Sequence, residues 1–115
     1  MEKKITLENQ IFIAKDFSSE LTKGTPLLKI LCDLKEKYTS YASQINKMYE
    51  GIREGESISG SMDKKYFNQF LIAMVEAGEE TGTLDETLMK AAEALEIEQK
   101  VMSYKPEYGA EVLFY

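Results

Sequence analysis

Five carboxylates in the C-terminal half are the only side chains whose spacing suggests a chemical site: Glu76, Glu79, Glu80, Asp85 and Glu86. Paired carboxylates can act as acid and base when burial separates their pKa values. Carboxylate oxygens also bind calcium, although this spacing does not match an EF-hand loop. The simpler interpretation for Asp85 and Glu86 is helix-end electrostatics, because negative charge is favourable in a first turn. We therefore predict no catalytic residue, no metal ligand and no cofactor, with a divalent cation such as calcium as the alternative.

Composition excludes several other classes of function. The 115-residue chain contains no histidine and one cysteine, so the usual zinc ligands and a histidine base are missing. Its formal net charge of -6 opposes nucleic-acid binding, which depends on cationic side chains. Hydrophobic residues make up 43% and charged residues 30%, as expected for one globular domain.

The acidic residues surround a predicted joint between two amphipathic helices. Gly82 suits the left-handed conformation that ends a helix, because glycine has no Cβ atom to clash. Thr83 then suits the N-cap of the next helix, and Glu86 completes the spacing of a capping box. Gly78 and Gly82 also match Gly-x-x-x-Gly, as do Gly51 and Gly55, but neither pair lies in an apolar segment. We interpret both pairs as helix ends rather than a membrane dimerisation motif.

Helical periodicity extends along most of the chain and predicts an all-α fold. Apolar residues recur at helical spacing over residues 7–21, 27–38, 41–54, 66–80 and 84–100. Thr25 and Pro26 are predicted to begin the second helix, and the serine-rich segment 57–62 is long enough for one helical turn. Because short loops join these elements, the expected architecture is a compact six-helix bundle of antiparallel helical hairpins.

Three ordered segments resemble the type II secretion F protein and type IV pilus inner-membrane platform protein family. Residues 74–84, MVEAGEETGTL, followed by Leu88, Ala92 and Glu96, resemble its Gly-Glu-x-Ser/Thr-Gly-x-Leu signature and the helix after it. Residues 17–34, which contain KGTPLL, are similar to its first two helices and their turn. Residues 52–58, IREGESI, are similar to its Gly-x-Ser-Leu segment. The segment YFN at 66–68 lacks the proline that the family usually has there.

The resemblance implies a non-enzymatic scaffold in the bacterial inner membrane that contacts the assembly or secretion ATPase and other platform proteins. Residues 1–100 would form a cytoplasmic helical bundle, and residues 101–115 a tail leading toward an absent transmembrane segment. Gly78, Glu79 and Gly82 match the motif positions, while Glu76, Glu79 and Glu80 are candidate partner contacts. The family also suggests a homodimer. The alternative is a free-standing acidic adaptor or chaperone that binds a partner helix in a groove, whose natural chain would stop near Tyr115.

Overall fold

The computed structural model describes residues 3–103, which contain five α-helices. They are α1 (Leu7–Thr22), α2 (Leu27–Lys37), α3 (Ala42–Arg53), α4 (Gln69–Thr81) and α5 (Leu84–Ser103). Two single turns of 3-10 helix, Thr39–Tyr41 and Ser59–Ser61, lie before and after α3. No strand occurs within these residues, so the predicted all-helical class is confirmed.

The six-helix count is wrong for the described residues, since segment 57–62 forms only the 3-10 turn. The Ser57 hydroxyl accepts a hydrogen bond from the Gly60 N–H at 2.9 Å. Such local bonds between side chain and backbone compete with a longer helix. The turn also packs tightly on α3, because a Cβ atom at Gly51 would lie 3.2 Å from the Cβ atom of Ser61. A neighbouring turn, rather than another helix, therefore explains the buried glycine in α3.

Two predicted helix starts are also corrected. Helix α4 begins at Gln69 rather than Tyr66, because the Asn68 side chain accepts hydrogen bonds from the first backbone N–H groups, including that of Phe70 at 2.8 Å. At α2, Pro26 occupies the N-cap position without a side-chain hydrogen bond. The Thr25 hydroxyl instead lies 3.3 Å from a carboxylate oxygen of Glu20. Both starts are therefore set by contacts that helical periodicity does not reveal.

The most extensive contact between two helices is that of α1 with α5, which are the first and last helices along the chain. The Ser18 hydroxyl donates to the Asp85 carbonyl at 2.7 Å, and Lys15 pairs with Glu96 at 2.8 Å. Residue numbers fall along α1 as they rise along α5, so the two helices are antiparallel. The predicted arrangement of antiparallel helical hairpins is therefore not matched exactly, because the first and last helices form this extensive contact.

The core lies where the apolar faces of all five helices meet. It also includes Ile5, from the extended segment before α1, and Phe67, from the segment before α4. The helical core residues are Ile11, Ile13, Ala14, Phe17, Ile30, Leu31, Leu34, Ile45, Met48, Leu71, Val75, Leu88, Ala91, Ala92 and Leu95. The alanines on α1 and α5 are small enough to let these two helices pack closely.

Buried Gln10 fixes the extended segments against the helices. Its Nε2 donates to the Ile5 carbonyl at 2.8 Å, and its Oε1 accepts from the Asn68 N–H at 2.7 Å. The Ile5 N–H in turn donates to the Tyr66 carbonyl at 3.1 Å. One buried amide therefore positions both the N-terminal segment and the start of α4.

Helix α5 continues to Ser103, past the domain boundary predicted at residue 100. The rest of the predicted tail, residues 104–115, lies outside the described residues. In the part of the chain that the structure describes, no helix combines the length and the apolar character needed to cross a membrane.

Candidate functional site

The turn between α4 and α5 has the geometry predicted for Gly82. Its φ angle is +71°, in the left-handed region that favours glycine. The N–H groups of Gly82 and Thr83 both donate to the carbonyl oxygen of Gly78, the second at 2.9 Å. This arrangement satisfies a carbonyl in the last turn of α4 and turns the chain directly into α5.

The predicted partners of the Thr83 capping box make other contacts. The Thr83 N–H that a capping box gives to Glu86 is given to Gly78 instead. The Thr83 hydroxyl lies 2.7 Å from the Thr81 hydroxyl. Glu86 itself is exposed in the first turn of α5, where its charge interacts favourably with the helix dipole.

Gly78 lies where α4 packs tightly against the first turn of α5. A Cβ atom at this position would overlap the Thr87 hydroxyl and lie 2.9 Å from the Cα atom of Leu84. Because Leu84 contributes backbone to this contact, a small side-chain rotation cannot relieve the crowding. Gly78 therefore permits the close approach, whereas Gly82 permits the change of direction.

Glu79 connects the α4–α5 turn to the loop after α3. Its two carboxylate oxygens accept hydrogen bonds from the backbone N–H groups of Ile58, at 2.7 Å, and Ser59, at 2.9 Å. These N–H groups begin the Ser59–Ser61 turn, so the carboxylate acts as a cap supplied from another helix. Glu79 therefore has an internal structural role, although it lies in a segment predicted to be exposed.

The sequence contained both partners of this contact but no signal that paired them. Residues 52–58 and residues 78–82 each resembled a family segment, yet they are separated by a helix and a loop. Glu79 lies in the last turn of α4, where the helix dipole disfavours negative charge, so its position has no local explanation. Only the fold brings Glu79 to the N–H groups of the 3-10 turn.

The other two predicted contact residues, Glu76 and Glu80, are solvent-exposed. With Ser57, Ser59 and Glu79 they line a shallow surface groove beside the 3-10 turn. Because Glu76 and Glu80 are exposed to solvent, the groove is better suited to contact with a partner. Within residues 3–103, no three acidic, cysteine or histidine side chains are grouped closely enough to hold a metal ion. The calcium alternative stays a prediction.

Two tyrosines, Tyr38 and Tyr41, lie next to and within the 3-10 turn between α2 and α3. Tyr41 is buried, and Tyr38 is half-buried with its hydroxyl 2.6 Å from an Asp16 oxygen. Burial raises the pKa of Tyr38, and the hydrogen bond to Asp16 raises it further. Hydrogen bonds from Thr6 lower the pKa of Tyr41, while burial opposes them.

Together the fold and this turn define an all-helical domain whose last two helices are joined by a glycine–glutamate turn that is tied to the preceding loop. The chain belongs to the family of type II secretion system (T2SS) protein F, whose sequence profile matches residues 13–103. The match confirms the family resemblance and covers all three segments on which it was based. No curated protein matched the chain. Members of this family are inner-membrane platform components rather than enzymes.

Proposed function

We propose that this chain is a non-enzymatic cytoplasmic scaffold domain of an inner-membrane platform protein for type IV pilus assembly or type II secretion. The observation that supports this function is the family match across residues 13–103. The site agrees with it, because the motif residues Gly78, Glu79 and Gly82 hold backbone in place instead of presenting reactive groups.

The proposed partners are the assembly or secretion ATPase and other platform proteins. Glu76 and Glu80 are exposed beside Glu79, so they can meet a basic partner surface directly. Glu79 acts indirectly in this proposal by holding the 3-10 turn beside them. Complementary charge of this kind contributes to specificity and association rate more than to affinity, whereas opposing like charges are strongly unfavourable.

Affinity capture of the pilus or secretion ATPase of the same organism tests the proposal. We expect the double variant Glu76→Lys/Glu80→Lys to weaken capture by at least about tenfold, because the new lysines would face the basic surface of the partner. The matched control is Glu36→Lys/Glu93→Lys, which makes the same charge change at exposed positions on α2 and α5. Equal losses from both doubles would refute the proposed contact, and failure of the ATPase to bind the unaltered chain would favour the free-standing adaptor.

The proposal includes a homodimer, for which light scattering gives the mass in solution. The measurement is made with calcium and again with a chelator. A dimer in both conditions supports the proposal without a metal requirement. A dimer only with calcium would assign the acidic residues a metal-binding role, and a monomer in both would remove the homodimer from the proposal.

A further inference from the structure

Charge is distributed unevenly along the α1–α5 axis of the bundle. Because these helices are antiparallel, the start of α1 and the last turn of α5 lie at one end of the pair. The α4–α5 turn and the 3-10 turn bound by Glu79 lie at the other. The 20 residues of α5 separate the two ends by about 30 Å.

Lysines collect at the end where α1 begins. The backbone of Lys3 is held there by the Gln44 side chain at 2.7 Å, and its Nζ lies 5.5 Å from the centre of the Tyr41 ring. Lys47 donates to the Tyr66 hydroxyl at 3.1 Å. We call this region the basic end, and its cations are Lys3, Lys4, Lys37, Lys47, Lys64, Lys65 and Lys100, which lie in or next to the segments that meet there.

Nearby carboxylates neutralise only part of this charge. Among the described residues, the seven lysines lie with five acidic side chains, so about two positive charges remain. The five are Glu8, Asp16, Glu36, Asp63 and Glu98. The opposite end carries Glu54, Glu56, Glu76, Glu79, Glu80, Asp85 and Glu86, while its cations Lys23 and Arg53 pair with Glu20 and Glu50. That acidic end has about seven negative charges, so the net charge of -6 conceals a strongly dipolar molecule.

The basic end also exposes apolar side chains, which lie on the last two turns of α5. Ile97, Val101 and Met102 are 64%, 69% and 74% exposed, the highest values among the large hydrophobic residues that the structure describes. Exposed aliphatic side chains beside lysines are typical of surfaces that enter the headgroup region of an anionic membrane.

We propose that the basic end, with Ile97, Val101 and Met102, docks on the anionic phospholipid headgroups of a bilayer and directs the acidic α4–α5 turn away from it. The proposal extends the function proposed above by orienting the domain, but vesicle binding can be tested without the ATPase. Lysines would approach the phosphates, and the three apolar side chains would enter the boundary between headgroups and acyl chains.

Screening explains how a chain with a net negative charge can bind an anionic surface. The Debye length is about 8 Å at physiological ionic strength, far less than the distance of about 30 Å between the two ends. The acidic end is therefore screened from lipids that touch the basic end. A second copy of the chain fits this surface less well, because three side chains provide a small fraction of the roughly 800 Å² per partner in a stable interface.

Co-sedimentation of the whole 115-residue chain with vesicles tests the proposal. We expect binding to vesicles that contain phosphatidylglycerol, weaker binding as salt rises, and little binding to pure phosphatidylcholine. Lys64→Glu/Lys65→Glu should lower the partition coefficient by at least about tenfold, since a lysine near the surface contributes about 1 kcal/mol. The matched control Lys23→Glu/Lys29→Glu makes the same charge change near the opposite end and should alter it by less than about twofold. Equal effects of the two doubles, equal binding to both lipids, or no binding would overturn the proposal.

A tryptophan probe identifies the face that meets the lipid, because the chain contains no natural tryptophan. The fluorescence of a Val101→Trp variant should shift to shorter wavelength when phosphatidylglycerol vesicles are added. A Glu80→Trp variant, with its probe at the acidic end, should show no shift. A shift in Glu80→Trp alone would mean that the acidic end meets the lipid, which would refute the proposal. A Val101→Trp shift caused by raising protein concentration without vesicles would identify a second copy as the occupant and would also refute it.

Discussion

Removing the Glu79 carboxylate should destabilise the domain, although its neighbour Glu80 can be removed at little cost. In Glu79→Ala, the N–H groups of Ile58 and Ser59 lose acceptors at 2.7 and 2.9 Å. Hydrogen bonds to a charged group contribute about 1.5–3 kcal/mol each. Because Glu79 and Ser59 are only half-buried, water can replace part of this interaction. We therefore expect a total loss of about 2 kcal/mol in the free energy of unfolding.

Thermal unfolding followed by circular dichroism measures this loss. For a domain of this size, about 2 kcal/mol lowers Tm by about 8 °C. Glu80→Ala is the matched control, since it removes an exposed carboxylate from the adjacent position and should change the free energy of unfolding by less than about 0.5 kcal/mol. Glu79→Gln keeps one acceptor oxygen and should fall between the two.

Amide hydrogen exchange locates the effect. The N–H groups of Ile58 and Ser59 should exchange faster in Glu79→Ala than in Glu80→Ala, measured under conditions where both variants remain folded. Equal Tm values for the two alanine variants, together with unchanged exchange at these amides, would refute the structural role assigned to Glu79.

Three further predictions concern the turn, the α1–α5 contact and pH. Gly78→Ala should cost about 1–3 kcal/mol because of the crowded helix contact, and Gly82→Ala about 1–2 kcal/mol because alanine is strained at positive φ; urea unfolding measures both. Ser18→Ala removes the side-chain donor to the Asp85 carbonyl, which remains part of α5, and should cost about 0.5–1.5 kcal/mol in the same assay. Tyr38 has a raised pKa when folded, so its contribution to stability is complete below about pH 10, the unfolded value, and is lost as pH rises further. Tyr38→Phe should remove that part of the pH dependence.

Distinct outcomes would contradict these three predictions. A Gly78→Ala variant as stable as the unaltered protein would show that α4 and α5 do not approach closely. An unchanged midpoint for Ser18→Ala would remove the hydrogen bond to Asp85 from the contacts that stabilise the bundle. Identical alkaline unfolding curves for Tyr38→Phe and the unaltered protein would show that the Tyr38 proton is not linked to folding.

The amino-acid sequence by itself determined the features that depend on neighbouring residues. Apolar spacing predicted helices that lie within a few residues of their observed bounds, and Gly82 predicted the left-handed turn between the last two. The ordered segments identified the family that the profile match confirmed. These features can be predicted because helical periodicity and glycine stereochemistry depend on residues within about one turn of each other.

Tertiary structure alone decided which distant groups meet. It paired α1 with α5 and brought the Glu79 carboxylate to the 3-10 turn at Ser59–Ser61. It also placed the lysines before α1 at the same end as the exposed apolar residues of α5. Local propensity does not predict such pairings, because they arise when apolar faces that lie far apart along the chain pack together simultaneously.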